Sequence, residues 1–554
     1  MSESEKNAAE LLKELDKLKR QIKILKSKKK YGLIWEEEKE PETIVVECQH
    51  KIPILNGTNK KDINTDRNEP VNILIEGDNY HALSVLNYTH KRAIDLIYID
   101  PPYNTGKKNE WKYNDKWIDE NDSYKHSKWL NFMFFRLALA KNLLSDNGVL
   151  LISIDDHEQP QLRLLCNELF GEENFESFIW KKKGGAGNTE KIIGTLTEYI
   201  LCYFRKKKEG IFNYREIDRT YKYKDNIGPF NLEGIEKTNL GSYERKTMQF
   251  PIIDPETKKE FYPAKNMRWT IGEVSIKKAI AEKKIHFDYK KNKVYYKKRP
   301  ADYETSQNVF YNLLSDFGSL ATAKDELDEL FGNREIFDTP KPIELIIHLL
   351  EIASRKDSTC LDFFAGSGTT AHAVLTLNKH DGGKRRFIIC TNNENDICTD
   401  VCYPRIEKAI KGYVGKVTGT KHASLGGNLR YFGTALMDID HIAHVSDEQK
   451  IQLTHQAGEM IALRENTFDE VEKNDWWQIF KGNKRYTAVY FKEDKSKLDE
   501  LVERLAKIDA KVALYIFSWG KNEYKNEFSQ YSNITIEDIP EPIIDVYREV
   551  NRIR

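Results

Sequence analysis

Ile94-Asp95-Leu96-Ile97-Tyr98-Ile99-Asp100-Pro101-Pro102-Tyr103 is a short apolar run that stops on an acid and two prolines. Six residues of this kind, bounded by a proline turn, predict a buried strand. The prolines fix the backbone and lack N–H donors, so their carbonyls stay free to accept. A carboxylate beside such a carbonyl makes a pair of acceptors suited to an exocyclic amino group. Tyr103 adds a flat face on which a base can stack. In doubly wound sheets, ligands bind at the carboxyl ends of strands, which is where Asp100 falls. Read without its neighbours, the same run is a strand ending in a solvated turn; the continuation Asn104-Thr105-Gly106 argues against that.

Outward from this run, apolar stretches alternate with helical patterns. Val71–Glu76, Ala93–Asp100 and Gly148–Asp155 read as strands, with helices over 80–90 and 127–145. Thr359–Phe364 and Arg386–Thr391 follow much later, again with a helix between them. This alternation predicts an α/β fold with a doubly wound, mostly parallel sheet. A second motif follows the strand at 359: Asp362-Phe363-Phe364-Ala365-Gly366-Ser367-Gly368-Thr369-Thr370. A Gly-x-Gly turn between strand and helix lets backbone approach a ligand, and the helix N-terminus favours polar groups. It is neither a Walker loop, having no Lys before a Ser or Thr, nor a full dinucleotide fingerprint, since residue 371 is Ala. With no Walker sequence elsewhere, an ATP-driven helicase fused into this chain is not expected.

The 554 residues carry 87 Lys and Arg against 87 Asp and Glu, with 40% hydrophobic and 31% charged residues. At about 100–200 residues per domain, several domains fit. The apolar stretches fall well short of the ~18 residues of a membrane span, and the N-terminus lacks the apolar core of a secretory signal. Seven cysteines, an odd number thinly spread, suggest reduced thiols in a cytoplasm. Cys390, Cys398 and Cys402 lack the paired spacing of a zinc site, so no metal is expected. Asp155-Asp156-His157-Glu158 reads as capping and solvation at a strand–helix junction. Neutrality hides asymmetry: residues 181–300 hold 29 Lys and Arg against 15 Asp and Glu, an excess of 14 positive charges matched by negative excess elsewhere. Such a basic stretch, interleaved with aromatics, is suited to a polyanion or forms a solvated surface.

The organisation expected is an N-terminal amphipathic helix over 1–35, with Leu11, Leu15, Leu18, Ile22 and Leu25 as its seam, then a linker or wrapping segment over 36–70. The first half of the sheet domain spans 71–180, an insertion 181–330, the second half 331–420 and a small C-terminal α/β domain 421–554.

Both motifs in this order, with Tyr31-Gly32-Leu33, Glu76-Gly77-Asp78-Asn79, His126-Ser127-Lys128-Trp129-Leu130, Ser153-Ile154-Asp155-Asp156 and Lys341-Pro342, give the chain its resemblance to a known family. It resembles the β group of amino DNA methyltransferases and, more narrowly, the modification (Mod) subunit of type III restriction–modification systems. The resemblance implies a circularly permuted Rossmann-like domain that transfers a methyl group from S-adenosylmethionine to the N6 amino group of adenine flipped out of duplex DNA. Asp in the first motif position accompanies adenine more often than cytosine in that group. By the same resemblance, Asp100, Pro101, Pro102 and Tyr103 are catalytic. Asp78, Lys341, Pro342, Asp362, Phe364, Ala365, Gly366, Gly368, Thr369 and Glu394 surround the cofactor. The insertion becomes a target-recognition domain, with Lys181, Lys182, Lys183, Tyr221, Lys222, Tyr223, Lys224, Lys297, Lys298 and Arg299 as DNA-binding candidates. The loop 107–117 either clamps the flipped nucleotide or buries Trp111, Tyr113 and Trp117 in local core. Expected partners are duplex DNA, a second copy of the chain and an ATP-dependent restriction (Res) subunit. N4-cytosine or RNA methylation, or service as a recognition subunit with secondary catalysis, are the alternatives.

Overall fold

The computed structural model describes residues 41–551 except 67, 108–109, 115, 119–120, 186–192, 215–219, 242–243, 305–308, 520–523 and 525–526. The expected N-terminal helix, and Tyr31-Gly32-Leu33, lie outside these residues.

One ten-stranded sheet organises the larger of two compact units, residues up to 213 and from 311 onward. In chain order its strands are β1 (Lys51–Gly57), β2 (Val71–Glu76), β3 (Ile94–Ile99), β4 (Leu144–Ile154), β5 (Phe175–Lys181), β6 (Thr197–Phe204), β7 (Leu313–Leu314), β8 (Thr359–Asp362), β9 (Arg386–Thr391) and β10 (Asn428–Asp438). They lie in the order β1-β10-β2-β9-β8-β3-β4-β6-β5-β7. The six from β10 to β4 are parallel; β1 pairs antiparallel with β10, and β6 pairs antiparallel with both β4 and β5. Helices that frame the site are α1 (Asn79–Thr89), α2 (Lys125–Leu143), α3 (Gln159–Phe170), α4 (Leu320–Phe331), α5 (Ile343–Ala353), α6 (Thr369–Asp381) and α7 (Tyr403–Lys411).

Apolar runs explain the central strands. Ile94, Leu96, Ile97, Tyr98 and Ile99 of β3 are all buried, as are Cys360 and Leu361 of β8. Strands covered on both faces read as near-continuous hydrophobic segments, and each buried aliphatic side chain contributes about 1.5–3 kcal/mol relative to exposure. β8 therefore seats directly against β3, pairing Cys360 with Leu96 and Leu361 with Ile97. That register sets Asp362 and Asp100 at the same edge.

Three boundaries differ from the sequence expectation. Residues 41–70 are built in: Thr43–Glu47 is a short helix, and β1 closes one sheet edge. β5 and β6, within or beside the segment 181–330, belong to the large sheet, so the second compact unit is the narrower 214–310. After 420, β10 joins the large sheet, and a core running from Val45 to Val550 is continuous with the C-terminal elements. Tyr547 there donates from its hydroxyl to the Pro53 carbonyl, 2.5 Å away. The five-stranded sheet between 469 and 539, with the helix Lys495–Ala506, is part of the same compact unit.

The unit 214–310 holds a four-stranded antiparallel sheet of Tyr223–Asp225, Gly228–Gly234, Ile285–Asp288 and Lys293–Lys298. Its core gathers Ile235, Ile252, Phe261, Trp269, Ile276 and Val294. Among the described residues no helix is long and apolar enough to cross a membrane.

Candidate active site

Five adjacent parallel strands end on, or just before, an acid along one edge of the sheet. In spatial order these are Asp78 after β2, Glu394 after β9, Asp362 closing β8, Asp100 after β3 and Asp155 after β4. Most have a basic neighbour. Arg136 reaches to 3.6 Å from Asp78, Lys112 pairs with Glu394, and His157 lies 2.9 Å from Asp155. Lys341 donates to Asp100 Oδ2 across 2.6 Å. Asp362 differs: its oxygens take the Thr370 hydroxyl at 2.5 Å and the Phe364 N–H at 3.0 Å. Among the described residues no Lys or Arg pairs with it, and burial pushes its carboxyl up to about 7. An edge of acceptors suits a ligand rich in hydroxyl, amino and cationic groups and repels phosphates.

The turn after β3 is held from several sides. Tyr103 donates its hydroxyl to Asp100 Oδ1 at 2.7 Å, with Glu198 Oε2 at 3.2 Å. Trp129 of α2 donates its indole N–H to the Pro102 carbonyl at 2.7 Å. Nothing among the described residues donates to the Pro101 carbonyl, which leaves it as a free acceptor beside Asp100. Asn104, in the left-handed region at φ +59°, donates to Glu158 Oε1 at 2.6 Å and accepts from Trp111 Nε1 at 3.1 Å. Glu158, expected to cap or face solvent, is instead fully buried beneath this turn, with His126 Nδ1 2.5 Å away. Burial pushes the Glu158 carboxyl upward, opposed by Asn104 and His126.

The second motif forms a glycine turn between β8 and α6. Gly366 and Gly368 have φ of +48° and +79°, which L side chains rarely adopt, and a Cβ at 368 would meet Cys402 Sγ at 3.1 Å. Ala365 N–H donates to the Cys390 carbonyl of β9, tying turn to sheet. Arg405 of α7, fully buried, donates to Thr369 Oγ1 at 2.9 Å and Ser367 Oγ at 3.2 Å, and pairs with Glu326 at 3.3 Å. Glu326 also accepts the first N–H of α5 at 3.0 Å; burial pushes it up to about 7. The Phe364 ring lies 5.9 Å from Phe132 of α2, and Tyr103 packs against the same hydrophobic core.

Other expected site residues divide into those the fold gathers and those it engages elsewhere. Asp78 caps α1 through Tyr80 N–H at 2.7 Å, and Pro342 caps α5. Lys341, expected beside the cofactor, has its amine on Asp100. Lys182, expected on DNA, donates to Glu198 at 3.0 Å, whereas Lys181 and Lys183 are exposed. In the unit 214–310, Lys297 and Arg299 both bond Asp225, at 3.0 and 2.7 Å, and Lys298 faces Glu233 at 3.9 Å. Arg299, then Lys297, hold Asp225 well below the usual carboxylate range. Lys222 and Lys224 are exposed, Tyr221 is half-buried, and exposed Tyr223 stacks on Phe230. In the loop 107–117, Trp111 and Tyr113 are core, while Trp117 is exposed and carries Lys112 over its ring at 4.4 Å. All seven cysteines are buried and free, and no metal-ligating cluster occurs among the described residues. Sequence reasoning missed Glu198, Glu158, Arg405 and Arg136. A lone acid in the apolar strand Thr197–Phe204 was the available sign of the first.

A parallel α/β sheet with an acceptor-lined edge, and with a glycine turn and an Asp-Pro-Pro-Tyr turn on paired strands, defines an α/β fold that binds a ligand at the carboxyl ends of its strands. The chain belongs to the DNA methylase family, whose pattern matches residues 94–402, more than half its length. It is 32% identical to the type III restriction–modification enzyme StyLTI Mod subunit of Salmonella typhimurium, over 64% of this chain and 58% of that subunit. It is 32% identical to the type II methyltransferase M.KpnI of Klebsiella pneumoniae, over 59% of this chain and 82% of that enzyme. The EcoPI Mod subunit of Escherichia phage P1 is 33% identical over 58% of each chain. The chain thus spans somewhat more than half the length of the Mod subunits it matches.

Proposed function

We propose that this chain methylates the N6 amino group of adenine in duplex DNA, using S-adenosylmethionine, as the modification and specificity subunit of a type III restriction–modification system. The observation that carries this reading is the pairing of β3 with β8, which brings Asp100 and Asp362 to one sheet edge although 262 positions separate them. Homology to Mod subunits and to a type II methyltransferase supports it. By the same homology we propose a Mod homodimer acting with a Res partner in the cytoplasm.

The residues fit S-adenosylmethionine. When bound, it supplies an electrophilic methyl group on a sulfonium. Asp362 is the carboxylate of this edge with no cation of its own among the described residues, Glu394 is an acceptor for ribose hydroxyls once Lys112 yields, and Asp78 lies one strand further along the edge. Gly366, Gly368 and Thr369 keep the turn tight, with Phe364 and Ala365 lining it. Opposite, Asp100 and the Pro101 carbonyl would accept the two hydrogens of the target amino group, which leaves its nitrogen lone pair free for the methyl group. Bound there, the cofactor would supply the methyl carbon for the amino nitrogen to attack, with a neutral thioether as the leaving group. The surplus N–H proton leaves through Asp100, a carboxyl that burial pushes upward against the opposing pull of Lys341. Tyr103 is placed to stack on the extruded base. The rate gain comes from positioning and desolvation. In the unit 214–310, Lys222 and Lys224 are the candidates for phosphate contact.

Tritiated S-adenosylmethionine incubated with unmethylated genomic DNA, followed by digestion to nucleosides, tests this directly. Label in N6-methyladenosine is expected; label in cytosine moves the target to N4, and no label at all overturns the reading.

Asp362 also gives a pH signature. Its carboxyl is half protonated near pH 7, and a cationic ligand lowers that value, so binding releases a proton below pH 7 and none well above it. Cofactor affinity is expected to fall about tenfold per pH unit below 7 and level off above it. Calorimetry at pH 6 in buffers of different ionisation heat should register the released proton. Asp362→Asn should bind weakly at every pH without the slope; a slope that survives removes Asp362 from this role.

A further inference from the structure

Both oxygens of Asp100 already carry a donor before any base arrives: Tyr103 donates to one at 2.7 Å and Lys341 to the other at 2.6 Å. The Lys341 ammonium draws off the charge of the carboxylate, so Asp100 accepts an amino group best once this cation shifts away. Both donors have the same second acceptor within reach. Glu198 of β6 lies 3.2 Å from the Tyr103 hydroxyl and 3.8 Å from Lys341 Nζ, both through Oε2. Its other oxygen is held by Lys182 at 3.0 Å. The cluster is charge-balanced, two lysines against two carboxylates, and buried at Glu198 and Lys341, each 6% exposed in its side chain. A buried cation cannot simply be shed into water, so it needs a waiting anion.

We infer that Glu198 is a positioning residue that receives Lys341 and the Tyr103 hydroxyl from Asp100 when the target base enters, freeing Asp100 to bind the amino group. The movement required of Lys341 is about 1 Å, the difference between its two carboxylate distances. Because it passes between two anions, the cation stays paired throughout. Burial pushes Glu198 upward, but Lys341 and Lys182 together hold it below the usual carboxylate value, so it stays ionised as the receiver. The inference rests on the methyltransferase reading.

The test uses the full chain, tritiated S-adenosylmethionine and unmethylated genomic DNA under single-turnover conditions. Glu198→Gln should slow transfer tenfold or more while calorimetric cofactor affinity stays within twofold, and Glu198→Asp, which keeps the charge, should recover most of the loss. In a Lys341→Met background only the Tyr103 hydroxyl is left to receive, so adding Glu198→Gln should cost several-fold less than it does in wild type; a purely structural role would give the full loss in both backgrounds. Lys182→Met probes the same step without altering Glu198, should Glu198→Gln not fold. It takes away one of the two cations that keep Glu198 ionised, so transfer should slow tenfold or more at low pH and recover as pH rises; a loss that does not change with pH would overturn the hand-over. An active wild type with an unaffected Glu198→Gln overturns this inference alone; a wild type that transfers nothing to DNA overturns the underlying reading and this inference with it.

Discussion

Asp100→Asn is expected to slow methyl transfer to DNA about 1,000-fold, near 4 kcal/mol of transition-state stabilisation, the upper range for loss of a preorganised polar contact at a reacting centre. An amide turns one of the two acceptors into a donor and removes the charge, so it neither pairs with the Lys341 ammonium before the base enters nor accepts the amino hydrogens as a carboxylate does. It also forfeits the carboxylate through which the surplus proton leaves. Asp100→Ala should be as deep. Cofactor binding is expected to stay within a few-fold of wild type in both, because Asp362, Glu394 and the glycine turn are built on β8, β9 and α6, which Asp100 does not brace. The measurement pairs single-turnover transfer with calorimetric S-adenosylmethionine affinity. A variant that keeps wild-type transfer removes Asp100 from the chemistry; one that loses cofactor affinity in parallel shows that the two sides of the cleft are not separable.

That separability was legible in the sequence, since each motif follows its own apolar strand and opens its own turn. The strands at 71, 94, 359 and 386 begin and end within about two residues of where their hydrophobic runs predicted them, because burial on both faces leaves no room for polar interruption. The sheet margins were harder. β5 and β6 mix apolar residues with Glu176, Lys181 and Glu198, and they lie beside and within the basic stretch whose charge suggested a separate body. β10 supplies a parallel partner to β2 from 357 residues away, a pairing that no local pattern announces. The site was readable as motifs but not as a network. Glu198, Glu158 and Arg405 carry no motif of their own, and each matters only through a partner distant in sequence: Tyr103, Asn104 and Thr369 respectively. Conversely, Lys182, Lys297 and Arg299 looked like free positive charge, and ion pairing with Glu198 and Asp225 accounts for them. Composition registers charge but not whether an opposite charge has already claimed it.

Arg136 carries the largest expected effect on stability. It is 1% exposed and grips Glu42 with two nitrogens, at 2.9 and 2.8 Å, while Asn79 Oδ1 accepts from its Nε at 2.5 Å. Its guanidinium stacks 3.8 Å above the Phe132 ring and reaches to 3.6 Å from Asp78. One side chain therefore ties the short helix before β1, the cap of α1 and the middle of α2. Arg136→Met removes the charge but keeps much of the volume, stranding a buried carboxylate at Glu42; breaking a buried pair in this way costs about 3–5 kcal/mol. The sign with pH follows from Glu42. Burial already pushes its carboxyl upward, and the attraction of Arg136 is what opposes that. Without Arg136 the folded-state value rises further, so the carboxyl binds a proton in the fold and is neutral at low pH. The deficit should accordingly be modest near pH 5 and grow as pH rises through the raised value, reaching its full size near pH 8. Adding Glu42→Leu should recover part of the loss at pH 8, since no charge is then stranded. Urea denaturation of the three proteins at both pH values measures this, and a deficit independent of pH would mean that Arg136 stabilises through packing against Phe132 instead of through its charge.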